Sequence, residues 1–301
     1  MPVGFECQSA KEQPLRRTRA VILDAVTHFN NDDGWAMASH VALSILMALF
    51  PFMIFGTALA SFLGANAYAE TASHLIFDTW PDAIAAPISR EVINVLTIER
   101  GGLLTVSVLA AAFFSSNGVE ALRVSLNRAY RMTETRAWYV NRAQSLGFIV
   151  IAVMVITAIS FLLVLAPLAL KLARQFAPWM DTLISAVDNW RILIAVSVLV
   201  TALVMSHMWL PAGKRRLMDV IPGIAVTLIA WIAGALAFAS YLEEFATYVS
   251  TYAGLASIMI ALVFLYIIAA IFILGAEINA AILKARARAL AEVKKEPSQE
   301  T

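Results

Sequence analysis

An acidic and an amide side chain lie inside the longest apolar stretch of this sequence. No charged residue occurs from Leu255 to Leu274, and Glu277 and Asn279 follow shortly before a basic segment that begins at Lys284. About twenty apolar residues, each rising 1.5 Å in a helix, cross a bilayer core. The stretch therefore predicts a membrane span in which Glu277 lies about two helical turns inside the basic, cytoplasmic end.

An ionisable group within a span usually faces a cavity or an oppositely charged partner. Two interpretations of Glu277 stay open: it lines a polar path for a lipid headgroup or an ion, or it forms a structural ion pair or hydrogen bond that fixes helix packing. The structural interpretation applies more strongly to Asn279 and Asn127. The partners expected for Glu277 are basic residues near the cytoplasmic ends of other spans, namely Arg123, Arg128 and the Lys214–Arg216 group.

Side chains suited to catalysis or metal binding are few. No two of the four histidines stand at i, i+4, and the sequence has no HExxH motif, no CxxC motif and no aspartate-rich cluster. Cys7 is the single cysteine, so no intramolecular disulfide can form. No glycine-rich phosphate loop indicates direct use of ATP. We therefore predict no catalytic, metal-binding or cofactor-binding residues, no cofactor and no enzymatic activity.

The composition is that of an integral membrane protein. Of the 301 residues, 60% are hydrophobic and only 14% are charged, whereas about a quarter of the residues are charged in soluble domains. The formal net charge is +1, so no global basicity indicates nucleic-acid binding. No cleavable signal peptide is visible, and we expect the first span to act as an uncleaved insertion signal.

The apolar stretches predict an all-α fold, a polytopic membrane helical bundle of six transmembrane spans with extra amphipathic interfacial helices. The spans fall at about residues 36–63, 102–118, 143–170, 192–210, 220–241 and 255–283. Residues 36–284 would form one membrane domain, between a cytoplasmic tail over 1–35 and a charged cytoplasmic tail over 285–301. Residues 1–15 are expected to be disordered, and short amphipathic helices are expected on the outer surface within 64–100.

The distribution of Lys and Arg gives the orientation. The amino-terminal segment holds four, the connections after the second and fourth spans hold five and three, and the carboxyl-terminal tail holds five. The three remaining connections hold five of the 22 between them. The positive-inside rule then places both termini in the cytoplasm.

Three local features leave alternatives open. Residues 16–30 place Ile22, Ala25, Val26 and Phe29 at helical spacing behind a basic cluster, which favours an interfacial helix over a solvated tail. Pro51 lies in the middle of the first span and predicts a kink. The second span meets a polar segment, Ser115–Gly118, which either continues as helix in the bundle interior or breaks the helix at a wet cavity. Both alternatives keep Ser116 and Asn117 away from lipid.

In their order and spacing, several motifs resemble the YihY/BrkB family of inner-membrane proteins over about residues 15–285. They are Ala38 and Phe50-Pro51, then Ser116, Gly118, Asn127 and Tyr130, then Leu210-Pro211, Asp219 and Pro222-Gly223, and finally Tyr252-Ala-Gly254 and Gly275 to Asn279. The sequence departs from the family pattern at Ala48, where a Ser is usual nearby, and at Ala253, which separates Tyr252 from Gly254.

The resemblance implies a protein of envelope integrity in the bacterial inner membrane, which transports phospholipid or a lipopolysaccharide precursor. Membrane lipids and periplasmic AsmA-like bridge proteins are the implied partners, no nucleic acid is expected, and homo-oligomerisation stays open. A laterally open, partly polar cavity would suit this role. The candidate functional residues are Pro51, Ser116, Asn117, Asn127, Tyr252, Gly254, Glu277 and Asn279.

Three other functions would require different sequence features. A small-solute or ion transporter should show inverted repeats and polar residues in most spans, and neither is evident. A non-transporting scaffold would depend on its outer surface, at residues 64–100 and 241–254. Members of the family were once labelled as a tRNA-processing ribonuclease, but the sequence has neither a metal cluster nor a basic domain with interleaved aromatic residues.

Overall fold

The computed structural model describes residues 6–62, 103–160, 162, 170, 181–244 and 253–293. Over these residues the chain consists of helices joined by short turns, without a strand, so the all-α class is confirmed. The helices are α1 (Glu6–Asn31), α2 (Gly34–Phe62), α3 (Leu103–Ala129), α4 (Trp138–Ser160), α5 (Asp181–Trp209), α6 (Leu217–Glu244) and α7 (Ala253–Val293). The first helix begins at Glu6, although disorder was predicted up to residue 15.

Four helices of the described part are long and apolar enough to cross a membrane. They are Trp138–Ile159, Trp190–Trp209, Leu217–Leu242 and Ile258–Ala291, which correspond to the predicted third to sixth spans. The predicted first span falls in α2, whose apolar stretch is shorter, Gly34–Leu49. The predicted second span falls in the first part of α3, and the predicted outer helices of 64–100 lie outside the described residues. The multi-span helical architecture is thus confirmed for four spans.

The chain forms two compact units, one of residues 1–42 and 119–301 and one of residues 43–118. In the second unit α3 continues through the polar segment at 115–118 without interruption, which selects the continuous-helix alternative. Ser116 is fully buried there, and its hydroxyl donates to the Phe113 carbonyl oxygen at 2.8 Å. Such a bond satisfies a hydroxyl within its own helix. Likewise, α2 runs through Pro51 as one helix.

In the first unit, α6 and α7 form the closest helix pair. A Cβ atom added to Gly223 would collide with the Gly275 carbonyl oxygen, and one added to Gly275 would collide with the Thr227 hydroxyl. Only glycine at these two positions lets the helix backbones come so near. Trp231 also joins the pair, because its indole N–H donates to the Ile268 carbonyl oxygen at 3.0 Å.

The first helix packs along the last turns of α7. Ala25 and Phe29 are buried, whereas Ile22 and Val26 are about half exposed. The four residues were predicted to form one apolar face, but α1 divides them between a face buried in the protein and a face left open. Ile22 and Val26, on the exposed face, are free to contact the membrane surface, so an interfacial α1 stays a prediction.

Candidate functional site

Asn279 is a fully buried amide on α7 that ties three segments together. Its side-chain oxygen accepts the Gly223 backbone N–H at 2.6 Å, and its side-chain nitrogen donates to the Val220 carbonyl oxygen at 3.0 Å and to the Tyr130 hydroxyl at 3.1 Å. Pro222, which has no N–H, interrupts the backbone bonding of α6 at this point. The amide of Asn279 is therefore nearly saturated by backbone groups of α6 on either side of Pro222 and by the turn after α3.

Tyr130 lies in that turn, at the centre of a buried aromatic cluster. Its hydroxyl accepts from Asn279 and lies 2.8 Å from Nδ1 of the buried His207. The Arg215 guanidinium stands over its ring, 4.0 Å from the centroid, in a cation–π contact. Burial raises the pKa of Tyr130 to about 12, against the opposing effects of Asn279 and Arg215. Tyr130 therefore stays a neutral phenol and acts as a hydrogen-bonding group.

Asn127 joins the connection after α3 to the connection after α5. Its side-chain oxygen accepts the Ala212 backbone N–H at 2.6 Å, and its side-chain nitrogen donates to Glu134 at 3.0 Å. Arg136 binds the same carboxylate through two side-chain donors, at 2.8 and 2.7 Å, and through its backbone N–H at 3.0 Å. Its side chain also donates to the Leu210 carbonyl oxygen at 2.9 Å. The hydrogen bond from Arg136 is the main cause that lowers the pKa of Glu134 to about 2, and burial opposes it.

Glu277 is 1% exposed and begins a chain of charges across the basic end of α7. Arg131 lies 3.6 Å from Glu277 and 3.0 Å from Asp24 of α1, and Lys284 lies 2.6 Å from the same aspartate. Burial raises the pKa of Asp24, but the bonds from Lys284 and Arg131 outweigh it and hold the pKa below its ordinary value. The four residues tie α1, the turn after α3 and α7 to one another.

The partner of Glu277 differs from those expected. Arg123 is buried between α3 and α4, where it binds Glu120, the Asn141 carbonyl oxygen and Ser145. Arg128 donates to the Asp32 carbonyl oxygen at 3.0 Å. Arg131 reaches Glu277 because its backbone takes a left-handed conformation, with φ of 58°, directly after the last turn of α3. No helical periodicity marks such a residue, so sequence reasoning missed it.

An open cavity of about 460 Å³ lies next to these charges, lined by residues of α1, α7 and the two connections. Its cations are Arg131, Lys214, Arg215 and Lys284, and His28 also lines it. Met132, Ala280 and Leu283 provide an apolar part. No carboxylate is among the lining residues of this cavity within the described part of the chain. A chamber of this kind can hold an anion that carries an apolar portion.

The structure brings only some of the predicted site residues together. Glu277, Asn279 and Asn127 lie near the basic helix ends, whereas Pro51, Ser116 and the half-buried Asn117 belong to the other unit. Gly254 is in the first turn of α7, about 35 Å along the helix from Glu277 at 1.5 Å per residue. Tyr252 lies outside the described residues. Asp24, Arg131, Tyr130 and Arg215 belong to the same region but were not predicted as site residues.

The described His, Cys, Asp and Glu side chains do not form a metal-binding group. Among the residues for which the structure is described, no group of three or more His, Cys, Asp or Glu side chains is placed to hold a metal ion. His207 is fully buried, with Nδ1 at 2.8 Å from the Tyr130 hydroxyl and the ring against Phe272, and its Nε2 has no hydrogen bond to a described residue. Hydrogen-bonding groups and cations make up the chemistry of this region.

Comparisons with known proteins agree with the motifs. The family model described as virulence factor BrkB matches residues 25–300. The ribonuclease-like protein YfkH of Bacillus subtilis is 30% identical over 256 residues, which cover 84% of this chain and 91% of that protein. A UPF0761 membrane protein of Rhodospirillum centenum is 27% identical over 286 residues, covering 91% of this chain and 60% of that protein. No solved structure matches the chain. The family resemblance is thereby confirmed, and the chain belongs to the YihY/BrkB family of membrane proteins.

Proposed function

We propose that this protein transports lipids, either phospholipid or a lipopolysaccharide precursor, and so maintains the envelope of a bacterium. In this proposal the chain lies in the inner membrane, crosses it six times and keeps both termini in the cytoplasm. Periplasmic AsmA-like bridge proteins would receive or deliver the lipid, and homo-oligomerisation stays open. The protein would have no catalytic role and would not bind nucleic acid.

The observation that supports this proposal is the position of the buried polar side chains along the four described spans. Among the residues of these helices whose burial the structure describes, the buried polar side chains are Asn141 and Ser145 of α4, His207 of α5, Thr227 of α6, and Glu277 and Asn279 of α7. All of them lie in the half of the helix next to the basic connections. The other halves expose large apolar side chains, such as Ile156, Ile232, Leu236 and Met259.

This one-sided distribution fits an amphipathic substrate better than a small polar one. A dissolved ion or sugar needs polar groups along its whole path, because an unpaired polar group in an apolar medium costs several kcal/mol. A lipid needs polar groups only where its headgroup enters, while its chains stay in contact with apolar helix faces. The buried carboxylate of Glu277 lies where such a headgroup would leave the water.

Transbilayer lipid exchange in proteoliposomes tests the proposal. Purified protein is reconstituted with a labelled phospholipid, and exchange is compared for the wild type, Glu277→Gln and Asp33→Asn. The control removes one carboxylate as well, but Asp33 is exposed and holds a left-handed backbone conformation that Asn tolerates. We expect exchange above protein-free vesicles, severalfold slower in Glu277→Gln and unchanged in Asp33→Asn.

Exchange no faster than in empty vesicles would contradict transport by the purified chain. Co-purification of a periplasmic partner that restores exchange would then retain the lipid function, whereas a partner that leaves exchange absent would favour a scaffold. Cleavage of RNA by the purified protein would contradict the absence of a catalytic role.

A further inference from the structure

The open cavity beside α7 carries more cations than its surroundings neutralise. Arg131, Lys214, Arg215 and Lys284 line it, and the carboxylates in contact with these four cations in the described part are Asp24 and Glu277. Glu277 contacts Arg131, and Asp24 contacts both Arg131 and Lys284, which leaves Lys214 and Arg215 without an anionic partner among the described residues. The cavity therefore has an excess of two formal positive charges.

Arg215 holds a donor that the protein leaves unused. One terminal nitrogen donates to the Ala212 carbonyl oxygen at 2.7 Å, and the guanidinium plane covers the Tyr130 ring. The other terminal nitrogen, Nη1, is buried and finds no hydrogen-bond partner among the described residues. A buried donor without a partner costs about 1–3 kcal/mol. Because Arg215 lines the cavity, a small movement of its guanidinium that brings Nη1 to an acceptor bound there would remove this cost.

The turn before Arg215 is built so that the cavity stays open. Gly213 has φ of 88°, a conformation that other residues rarely adopt. A Cβ atom at this position would also lie 2.5 Å from the Met132 methyl carbon, at the cavity wall. Lys214 follows directly, exposed and without a hydrogen bond or ion pair in the part of the chain that the structure covers.

The geometry points to this cavity as a binding site for a phosphate group, with Lys214 and Arg215 as its direct ligands and Arg131 and Lys284 as flanking charges. Lysine and arginine are the usual ligands of phosphate, lysine as a point charge and arginine through its fork of donors. The volume of about 460 Å³ exceeds what a phosphate ion needs and lies in the range of small-ligand sites. Met132 and Leu283 would then face the less polar part of a phosphate ester.

The phosphate can belong to a lipid headgroup or to a soluble phosphate ester. If it belongs to a lipid, the inference rests on the proposed function and names its entry site at the cytoplasmic ends of the spans, where lipid phosphates and basic side chains meet. Phosphate binding can be measured without transport, so a negative result for the cavity can be distinguished from a negative result for lipid transport.

The test is a binding titration of full-length protein in neutral detergent, by calorimetry or native mass spectrometry. The probes are dihexanoyl phosphatidic acid, dihexanoyl glycerol, which lacks the phosphate, glycerol 3-phosphate and inorganic phosphate. The variants are Lys214→Gln and the control Arg216→Gln, which removes the same charge from a neighbouring exposed position outside the cavity lining. Because Lys214 is exposed and makes no hydrogen bond or ion pair with a described residue, its variant should keep the wild-type melting temperature.

We expect phosphatidic acid to bind, and Lys214→Gln to raise its Kd about tenfold, the effect of one charge-assisted hydrogen bond. Arg216→Gln should leave the Kd within about twofold, and dihexanoyl glycerol should not bind. Equal affinity for glycerol 3-phosphate would support the phosphate site but assign it to a soluble ester, against a lipid entry site. Equal binding of dihexanoyl glycerol, or equal effects of the two substitutions, would overturn the site.

Discussion

Replacing Asn279 by alanine tests whether this residue holds α6, α7 and the turn after α3 together. The substitution removes three hydrogen bonds, to the Gly223 N–H, the Val220 carbonyl oxygen and the Tyr130 hydroxyl. The Gly223 N–H, which is buried next to Pro222 in α6, loses its side-chain acceptor. The buried Val220 carbonyl oxygen and Tyr130 hydroxyl each lose a donor.

The expected loss in the free energy of unfolding follows from these bonds. A buried hydrogen bond contributes about 0.5–1.5 kcal/mol, and about 0.6 on average between membrane helices. Three bonds give about 2–4 kcal/mol, to which the small cavity left by the amide adds little. Asn141→Ala is the matched control, because Asn141 is also buried but its side-chain oxygen has no partner in the part of the structure described. The control should lose less than about 1 kcal/mol.

The assay is reversible unfolding in mixed micelles, titrated with dodecyl sulfate and followed by tryptophan fluorescence. A double-mutant cycle with Tyr130→Phe isolates the bond between Nδ2 of Asn279 and the Tyr130 hydroxyl, and its coupling should be about 0.5–1.5 kcal/mol. The reasoning is refuted if Asn279→Ala destabilises no more than Asn141→Ala, or if the cycle shows no coupling.

Three further predictions concern the same end of the helices. Glu134 has its pKa lowered from 4.5 to about 2, so its contribution is present above pH 4.5 and is lost as the pH falls towards 2. Glu134→Gln should therefore reduce the stability that the protein loses between pH 4.5 and pH 2 by about 3 kcal/mol, as measured by unfolding at each pH. Gly223→Ala should destabilise by about 3 kcal/mol or more because its methyl group meets the Gly275 carbonyl oxygen. Gly147→Ala, with nothing within 4 Å of the new methyl group, should instead stabilise α4 by about 0.5–1 kcal/mol in the same unfolding assay.

The sequence predicts the helices that cross the membrane well because composition alone determines them. The apolar runs of α4 to α7 need no knowledge of neighbours, since a long uncharged helix is stable only in lipid or in a large core. The continuity of α3 through Ser115–Gly118 was harder to predict. Serine and glycine favour a helix break locally. The buried Ser116 hydroxyl, however, donates to a carbonyl oxygen of its own helix, so the helix can continue without leaving this polar group unsatisfied.

The cation that meets Glu277 could not be predicted from periodicity. A position near the cytoplasmic ends of other spans suggested Arg123, Arg128 and the Lys214–Arg216 group. Arg123 and Arg128 bind other partners, whereas Arg131 reaches Glu277 through its own left-handed backbone conformation after the helix end. Asp24 was similarly hidden, because it flanks the stripe of Ala25 and Phe29 and reads as a solvated residue of an amphipathic helix. The roles of Arg131 and Asp24 can be recognised only from the packing of α1 against α7, which brings Asp24 next to Arg131 and Lys284.

Glu277 and Asn279, two residues apart on α7, differ in how completely their partners satisfy them. Asn279 has short bonds to three groups, as expected of a residue that holds helices together. Oε2 of Glu277 is buried and has no hydrogen bond to any described residue, and its nearest cation, Arg131, is 3.6 Å away. A carboxylate kept for packing alone would be bonded more closely, because an unmet buried charge is costly.

The two substitutions should therefore separate stability from lipid movement. Glu277→Gln keeps the shape of the side chain and replaces a carboxyl group whose Oε2 has no hydrogen bond to a described residue. It should therefore cost less stability than Asn279→Ala while slowing lipid exchange more. If Glu277 served packing instead, its substitution would lower the free energy of unfolding by 3 kcal/mol or more, the cost of leaving a buried partner uncompensated. Exchange would then fall only in proportion to the folded protein that remains. The ratio of exchange rate to folded fraction, measured for both variants, decides between a packing residue and one on the lipid path.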